Sequence, residues 1–416
     1  MRNLDVIVVG AGIAGLAAAR AVRAAGRSCL VLEAATRVGG RAWTTEVAGH
    51  AFDMGATWLH AAERNPLVDI ARAAGETLLD ADAVRSRRLL VNGRDATAAE
   101  VAAYGRAHAR FEAVAIARAA LTDVALADAV AELDEDPWLA TVETWEASQI
   151  AAADSRDFSV RDWRDNALDG SNLWLPNGIG DFAVRVLAPL AGDIRLGTPV
   201  RCIRWGDDVT VEASAGDFKA GACIVTVSTG VLAADGIRFD PPLPTAMQSA
   251  IAGLPMGLLT KLAVVGRWAD RLGLPDSSSV RMRVPERFAP AMSFHAWPLG
   301  AGYISGFIGG PTAWALSRKG EAATKDFVRA RFAEMLGEAA ARGIDDIIVA
   351  SWGTDPLHRG AYAYARPGHA GARAALGAPL GEGRLIFAGE ATRTDGLAGT
   401  VGGAWLAGRD AAGLVR

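Results

Sequence analysis

Apolar runs and small-residue turns alternate in a regular order at the start of the chain. Residues 5–9 end in a continuous apolar run, which is typical of a strand buried on both faces of a parallel sheet. After a glycine-rich turn, the alanine-rich residues 13–25 predict a helix that ends at Gly26. Residues 28–33 form the next apolar run. This strand–turn–helix–strand order predicts a βαβ unit of the dinucleotide-binding kind.

Later segments alternate between helical and β patterns. Residues 98–135 are alanine-rich with scattered charges and predict helix, and residues 321–342 predict a single amphipathic helix. A final helix follows the last strand pattern. The strand patterns after the first unit are residues 199–213, 218–227, 258–265 and 384–388.

These β patterns flank two insertions in the chain. We therefore expect an α/β domain of the Rossmann type assembled from separate pieces, with an interleaved α+β substrate-binding domain that has a mixed sheet and helices. The expected boundaries are 1–75, 190–240 and 375–416 for the nucleotide-binding domain, and 76–189 and 241–374 for the substrate-binding domain.

Composition and charge exclude several classes of partner. The 416 residues carry a formal charge of −4 and no block of like charges, so neither nucleic acid nor an anionic membrane is an expected partner. No apolar stretch reaches the roughly 20 residues that span a bilayer. A strand begins within the first residues and leaves no room for a signal peptide, so a cytoplasmic location is expected. The three cysteines and six histidines lack metal-ligand spacing, which predicts buried reduced thiols and no metal.

Three glycines in a GxGxxG pattern carry the first sign of a cofactor. Gly10 permits the tight turn, Gly12 lets the backbone approach a pyrophosphate, and Gly15 allows the helix to pack closely on the strand. The pyrophosphate is expected at the positive helix N-terminus, beside Ile13 and Ala14. Because the pattern follows a strand and opens a helix, it predicts a nucleotide site.

The residues after the second strand indicate which dinucleotide is bound. Glu33 ends that strand, where its carboxylate can accept hydrogen bonds from an adenosine ribose. Ala34 and Arg37 follow, and then Gly40 and Arg41, whose guanidinium can reach the pyrophosphate. A surface turn with one solvated arginine is the alternative. The whole pattern, EAxxRxGGR, resembles the extended fingerprint of FAD-containing amine oxidases.

The resemblance to these amine oxidases extends over nearly the whole chain. It implies bound FAD and a substrate domain placed over the flavin. Ser228 and Thr229 depart from it, because the family usually has Pro-Leu there. The resembling segments are residues 52–60, 225–232, 257–265, 352–356, 359–364 and 387–412.

Further FAD contacts follow from this resemblance. Glu390 is expected to contact the ribityl–phosphate region, although an acid at a helix start is also favoured by the helix dipole. Trp352 is expected to form a wall beside the flavin, with a purely structural place in the core as the alternative. The implied contacts outside the fingerprint are Gly55, Ala56, Thr57, Val200, Trp352, Gly389, Glu390, Thr400 and Val401.

The resemblance also implies catalytic positions. Lys261 matches the lysine that holds a water against flavin N5, with a strand-end lysine that reaches solvent as the alternative. Monoamine oxidases hold the amine between two tyrosines, and here Tyr362 matches the first while Thr400 stands at the second. His60 either faces the substrate or is a hydrogen-bonded loop histidine. With Trp352, these residues favour the polyamine oxidase branch.

One departure concerns the attachment of the cofactor. Members with covalent flavin have a cysteine before the tyrosine of the RGAYAY region, and here that position is Ala361. The FAD is therefore expected to be non-covalent.

The expected activity is FAD-dependent oxidation of an aliphatic amine, above all a di- or polyamine. A hydride passes to flavin N5, the imine hydrolyses to an aldehyde, and O₂ is reduced to H₂O₂. The expected partners are therefore the amine and O₂, and the protein is expected to be a monomer or homodimer.

Three other functions remain open at this stage. An L-amino-acid oxidase would need an arginine that binds the substrate carboxylate, and no such arginine can be singled out from the sequence. A flavin desaturase or protoporphyrinogen oxidase would need an apolar membrane-docking surface. A flavoprotein related to the histone demethylases would carry added partner-binding domains or a helical tower.

Overall fold

A computed structural model describes residues 4–416 of the chain. Strands and helices alternate throughout this range. The strands are β1 Leu4–Val9, β2 Cys29–Leu32, β3 Thr44–Val47, β4 His50–Asp53, β5 Trp58–Leu59, β6 Leu79–Asp80, β7 Ser86–Val91, β8 Arg94–Asp95, β9 Leu173–Trp174, β10 Ile194–Arg195, β11 Val200–Arg204, β12 Val209–Ala213, β13 Gly216–Val225, β14 Arg238–Asp240, β15 Met256–Gly257, β16 Leu259–Gly266, β17 Ser278–Met282, β18 Ser293–Ala296, β19 Ile304–Gly309, β20 Ile344–Val349, β21 Tyr362–Ala363 and β22 Leu385–Phe387.

The helices are mostly short, and two segments have π-helical geometry, Thr144–Ile150 and Ala183–Leu187. The α-helices are α1 Ile13–Ala24, α2 Pro66–Ala73, α3 Ala98–Leu121, α4 Leu126–Ala129, α5 Leu139–Glu143, α6 Val160–Asp165, α7 Ile179–Phe182, α8 Ala188–Ala191, α9 Thr229–Ala233, α10 Thr245–Gly253, α11 Gly310–Lys319, α12 Glu321–Leu336, α13 Glu338–Arg342, α14 Ala372–Leu376 and α15 Val401–Gly413.

An eight-stranded sheet carries the predicted βαβ unit. Its strands β10, β2, β1, β13 and β22 lie side by side and run parallel. β12 pairs antiparallel with the first half of β13, residues 216–220. β11 then pairs antiparallel with β12, and β14 pairs parallel with β11 at the edge of the sheet. The prediction of one β run over residues 199–213 is therefore wrong in detail, because the chain turns after Arg204 and forms a hairpin.

The first and last helices pack on each other against this sheet. The backbones of α1 and α15 approach so closely that a Cβ at Gly408 would lie 1.9 Å from the Ala14 oxygen. At the start of α1, a Cβ at Gly15 would lie 1.8 Å from the oxygen of Gly10 in the preceding turn. Only glycine fits such contacts. The C-terminal helix is thereby held beside the glycine-rich turn that begins the chain.

A separate seven-stranded sheet has the order β20-β16-β19-β18-β17-β7-β8. Successive side chains of a strand point to opposite faces, so the sheet has two different surfaces. Leu262, Phe294 and Ile308 pack with Phe332 of α12 in one hydrophobic core. The other face carries Lys261, which pairs in register with Phe307 of the neighbouring strand.

Two predicted helices end earlier than the sequence pattern suggested. The predicted helix over 321–342 is divided into α12 and α13 at Gly337, whose φ is 93°. In the alanine-rich stretch 98–135, α3 stops at Leu121 because Thr122 is extended, and only short helical turns follow. Both breaks are local backbone events inside segments whose composition is uniformly favourable for helix.

The two sheets draw on different parts of the chain. Strands of the eight-stranded sheet come from residues 4–32, 194–240 and 385–387, and those of the seven-stranded sheet from 86–95 and 259–349. The assignment of the remaining residues to two domains stays a prediction. Within residues 4–416, no helix is both long and apolar enough to cross a membrane. The same range contains no cluster of three metal-binding side chains.

Candidate active site

The N-terminus of α1 faces a floor, a surface formed by the backbone of the glycine-rich turn and of Gly39 and Gly40. Gly12 caps this helix without a side-chain hydrogen bond, and no acidic residue lies in its first turn. The Gly39 N–H donates to the Ala11 oxygen at 2.8 Å, which holds a second glycine pair against the turn. Free N–H groups at a helix N-terminus bind anions. This floor fits the pyrophosphate of a dinucleotide.

Glu33 is fixed at the carboxyl end of β2, beside that floor. One carboxylate oxygen accepts the Ala11 N–H at 2.6 Å, and the other accepts the Ala35 N–H at 2.7 Å. The Thr198 N–H donates to the Glu33 main-chain oxygen at 2.7 Å, and Val200 is buried in the adjoining strand. A carboxylate oriented in this way at the carboxyl ends of parallel strands fits a ribose.

Arg41 and Glu390 form the second half of the cofactor cradle. The Arg41 guanidinium donates to the Glu390 Oε1 and to the Ala361 oxygen, both at 2.8 Å. The Ala363 N–H also donates to Oε1, at 3.1 Å. Glu390 Oε2 is buried and has no hydrogen-bond partner in the structure of residues 4–416. A buried acceptor of this kind needs a donor such as a ribityl hydroxyl.

An open cavity adjoins Glu390 at the carboxyl ends of β13 and β22. Its volume is about 280 Å³, and its lining includes Arg41, Gly389 and Glu390. Open α/β sheets bind ligands at such carboxyl ends. The residues present therefore fit a flavin dinucleotide that extends from the α1 N-terminus past Glu390.

Two aromatic side chains join the loop after β20 to the rest of the cradle. The Trp352 indole donates to the Met54 oxygen at 2.9 Å, and the Tyr362 hydroxyl donates to the Ile150 oxygen at 2.7 Å. Trp352 is fully buried, whereas Tyr362 is partly exposed. Burial raises the pKa of Tyr362, and the nearby Glu390 carboxylate raises it further, so the phenol is neutral.

Lys261 is buried where the seven-stranded sheet meets β4 and the segment that follows it. Its ammonium donates to the Thr57 hydroxyl and, at 3.5 Å, to the Gly55 oxygen. The Nζ lies 5.2 Å from the centre of the Phe52 ring and 6.0 Å from that of Phe307. Burial lowers the pKa of Lys261 to about 8, against the opposing effect of Asp53. A surface lysine that reaches solvent is therefore excluded.

Asp53 is a buried charge partner that the sequence analysis did not select. Its Oδ1 accepts the Thr44 hydroxyl at 2.5 Å and the Ile179 N–H at 3.1 Å. Burial raises the pKa of Asp53, while the Lys261 ammonium opposes that rise. The carboxylate of Asp53 directly follows the apolar Phe52, and this position in the sequence could have indicated a buried charge. Its charge partner Lys261 lies more than two hundred residues away, so the sequence does not show the pairing.

His60 and Thr400 have different places from those of the other predicted residues. His60 Nδ1 lies 2.6 Å from the Asn172 Oδ1, and burial lowers the pKa of its imidazole. The Thr400 hydroxyl accepts the Gly403 N–H at 2.9 Å and donates to the Leu397 oxygen at 2.8 Å. Thr400 thus caps α15, and its place beside the flavin and the substrate amine stays a prediction.

An aromatic wall leads away from Lys261, and the sequence analysis missed most of it. The Trp58 ring lies 6.2 Å from Phe307, and Trp174 lies 5.3 Å from His295. Trp58 and Phe307 are partly exposed, so they line open space. Only strand pairing brings these residues together, because β5, β9, β18 and β19 are distant in sequence.

Comparisons with known proteins cover nearly the whole chain. The family described as "Flavin containing amine oxidoreductase" matches residues 126–416, and "NAD(P)-binding Rossmann-like domain" matches residues 8–73. The chain is 31% identical to "Probable polyamine oxidase 4" of Arabidopsis thaliana, over 97% of this chain and 85% of that protein. It is also 31% identical to "Polyamine oxidase 4" of Oryza sativa subsp. japonica, over 98% and 88%.

Solved structures share the fold. A putrescine oxidase with bound putrescine superposes with a TM-score of 0.83 over 99% of this chain and 98% of that one, at 21% identity. A double mutant of putrescine oxidase gives a TM-score of 0.82 at 22% identity, with the same coverage. This likeness confirms the predicted Rossmann-like fold with mixed sheets and helices.

Replacing Glu33 by alanine tests the cofactor cradle. The substitution removes a charge-assisted acceptor of two backbone N–H groups, each such bond contributing about 1.5–3 kcal/mol. We expect the variant to bind its dinucleotide about 10- to 100-fold more weakly than the unmodified protein, measured by equilibrium titration of the apoprotein. Glu46→Ala, which removes an exposed glutamate nearby, serves as the control. Equal affinities of Glu33→Ala and Glu46→Ala would reject the placement of Glu33.

Proposed function

The chain belongs to the flavin-containing amine oxidoreductase family, and from this premise we propose that it oxidises an aliphatic amine to an imine with O₂ as the electron acceptor. The FAD-dependent oxidation of an amine follows from the family. Water then hydrolyses the imine to an aldehyde, and O₂ leaves as H₂O₂. Relatives named polyamine oxidases and a structure with bound putrescine support an aliphatic amine as the substrate.

The buried Lys261 is the observation that carries this proposal. When bound, FAD supplies an acceptor for the hydride of the amine and later delivers the electrons to O₂. Lys261 places a positive charge in a site otherwise formed by Phe52, Phe307 and Thr57. A preorganised charge in a dry site stabilises negative charge that develops during reaction far better than water does. With its pKa near 8, the group can also hold or release a proton at physiological pH.

The other residues orient the reactants and exclude water. Arg41 and Glu390 hold the cofactor through their mutual ion pair and the orphaned Glu390 oxygen. Trp352 and Tyr362 are fixed by hydrogen bonds to backbone oxygens, so they form stiff walls for the amine. The aromatic rings of Trp58 and Phe307 continue these walls. We propose His60 as a neighbour of the substrate path, oriented by Asn172.

Non-covalent attachment of the FAD is part of the proposal. Ala361 stands where a cysteine would form the link, and its main-chain oxygen accepts from Arg41. We expect acid or heat to precipitate the protein and to release intact FAD into the supernatant. Flavin fluorescence that stays with the precipitated polypeptide contradicts the proposal.

Amine oxidation is tested by anaerobic reduction of the flavin. Only the neutral amine can give up a hydride readily, and an aliphatic amine has a pKa near that of lysine, about 10.4. We therefore expect the second-order rate of flavin bleaching to rise from pH 6 to about pH 8, by up to about tenfold per pH unit where proton loss from the amine limits the rate. Above that pH we expect the rise to flatten, because Lys261 loses its proton and its positive charge. A rate independent of pH, with chemistry rate-limiting, would be the contrary result. No bleaching by any amine of a broad panel would reject the function itself.

Lys261→Met tests the role of the buried ammonium. Methionine keeps the length and apolar packing of the side chain but removes its charge and its hydrogen bond to Thr57. We expect flavin content close to normal and a loss of roughly 10²–10³-fold in flavin reduction, reoxidation or both, measured by stopped flow.

Lys219→Met is the matched control for this substitution. Lys219 also lies in a strand, β13, but its side chain is exposed. We expect its removal to change both half-reactions by less than about twofold, as for most surface substitutions. If Lys261→Met behaves like Lys219→Met, the lysine has no part in the reaction.

A further inference from the structure

Three arginines stand at the far end of the aromatic wall. Arg85 lies with its guanidinium carbon 5.4 Å from the Trp58 ring, and Trp58 is the neighbour of Phe307. Burial lowers the pKa of Arg281 to about 10. The positive charges of Arg87 and Arg85 lie close enough to lower it further. We call Arg85, Arg87 and Arg281, together with Asp82, the distal cluster.

The distal cluster has an excess of positive charge. Asp82 is its only carboxylate, and it lies 3.7 Å from Arg85 and 3.6 Å from Arg87. The Asn172 amide donates to Asp82 as well, at 2.8 Å. Arg281 forms no ion pair with any carboxylate of residues 4–416 and is only stacked on Trp145 and hydrogen-bonded to Tyr104. Within the cluster, three guanidinium groups lie against one carboxylate, and Arg87 is the one that is largely exposed to solvent.

Other acidic groups near this end are occupied. Glu146 accepts from the His108 imidazole at 2.9 Å and from the Trp163 indole at 3.0 Å. Glu143 lies between the two nitrogen donors of Arg287, at 2.7 and 2.8 Å. Neither carboxylate forms an ion pair with Arg281 or Arg85.

Unpartnered nitrogen atoms converge on the same region. The Arg85 Nε, Trp58 Nε1 and Gln149 Nε2 are buried N–H donors without a hydrogen-bond partner in the described chain. His295 Nε2 is also buried without a partner, but it is an acceptor and not a donor, because the ring is neutral and its hydrogen bond goes to the Ser277 backbone. Burial lowers the pKa of His295 to about 4, and the Arg85 and Lys261 cations lower it further. Buried donors normally have acceptors, so an acceptor is missing here.

The sheet places this region at a fixed distance from Lys261. Lys261 pairs with Phe307, and Phe307 pairs with Ser293 of the next strand, β18. β17, which carries Arg281, is the strand after that. Three steps of about 4.8 Å separate the backbones of Lys261 and Arg281 by roughly 14 Å. A single extended small molecule can thus reach from the flavin side of the wall to the distal cluster.

We propose that the substrate carries a carboxylate at the end opposite its reacting amine, and that Arg85 and Arg281 bind this carboxylate. The proposal rests on the proposed amine oxidation. A carboxylate supplies the acceptor that the unpartnered N–H groups lack and a negative charge for Arg281, which has no ion-pair partner among residues 4–416. A second ammonium, as in a diamine, would instead be brought against guanidinium groups of the same charge. The substrate class is therefore an ω-amino acid, not a polycation.

Three amines of equal chain length test the proposal with the FAD-loaded protein. Pentylamine, 1,5-diaminopentane and 5-aminopentanoate differ only in the distal group, which is a methyl, an ammonium or a carboxylate. We expect the ratio of the limiting rate of anaerobic flavin reduction to Kd to be at least about tenfold higher for 5-aminopentanoate than for 1,5-diaminopentane. An equal or higher value for the diamine overturns the proposal.

Single substitutions locate the effect. Arg85→Met and Arg281→Met should each weaken binding of 5-aminopentanoate at least about tenfold while the constants for pentylamine stay within twofold. Arg88→Met is the matched control, because Arg88 is the same kind of residue in β7 and pairs with Asp95 instead. Its kinetics should match those of the unmodified protein. A carboxylate preference that survives both Arg85→Met and Arg281→Met assigns the anion to another place and overturns the proposal.

Binding without turnover separates this inference from the proposed function. If no amine of any kind reduces the flavin, the proposed function fails, and calorimetric titration with pentanoate still decides the inference. Binding of pentanoate that is lost in Arg85→Met supports a carboxylate site. No detectable binding, or equal binding by Arg85→Met and Arg88→Met, rejects it.

Discussion

A buried ammonium where the seven-stranded sheet meets the segment after β4 is the constraint on which the site depends. Lys261 belongs to the seven-stranded sheet, yet its hydrogen bonds go to Thr57 and Gly55 in the segment that follows β4. An ammonium removed from water is costly unless it meets partners, and its depressed pKa reports that cost. Strand β16 and the segment after β4 must therefore pack together around the Lys261 ammonium for the buried charge to be tolerated.

The cradle for the cofactor is organised around that same junction. Gly55 and Thr57 lie on the segment that also provides the Met54 oxygen to Trp352. Trp352 begins the loop that leads to Ala361, whose oxygen accepts from Arg41, and Arg41 in turn pairs with Glu390. Hydrogen bonds and short backbone segments thus connect Lys261 to the Glu390 carboxylate. Movement of one member would disturb the cofactor cradle and the amine path together.

Charge is distributed unevenly along the proposed substrate path although the protein is acidic overall. The formal charge is −4, but the path begins at Lys261 and ends at Arg85 and Arg281. Between them the walls are aromatic and the His295 imidazole is neutral. Attraction between opposite charges is strongest where water is excluded, so these few groups govern recognition more than the net charge does.

The sequence by itself determined the dinucleotide unit and the family. Gly10, Gly12, Gly15 and Glu33 lie within one βαβ unit, so spacing alone fixes their geometry, and the structure gathers them at the carboxyl ends of β1 and β2. Family resemblance selected Lys261, whose buried place the structure shows. These features are local in sequence or depend on a motif, and for this reason they are readable without coordinates.

Only the tertiary structure decided the partners of these residues and the far end of the site. The charge of Lys261 acts on the pKa of Asp53, although the two residues are about two hundred positions apart in sequence. Arg85, Trp58 and His295 likewise come from separate parts of the chain. The motif selected Thr400, but only the structure shows that its hydroxyl caps α15. Sequence patterns report which face of an element is buried, but register and sheet order determine which distant side chains and charges meet.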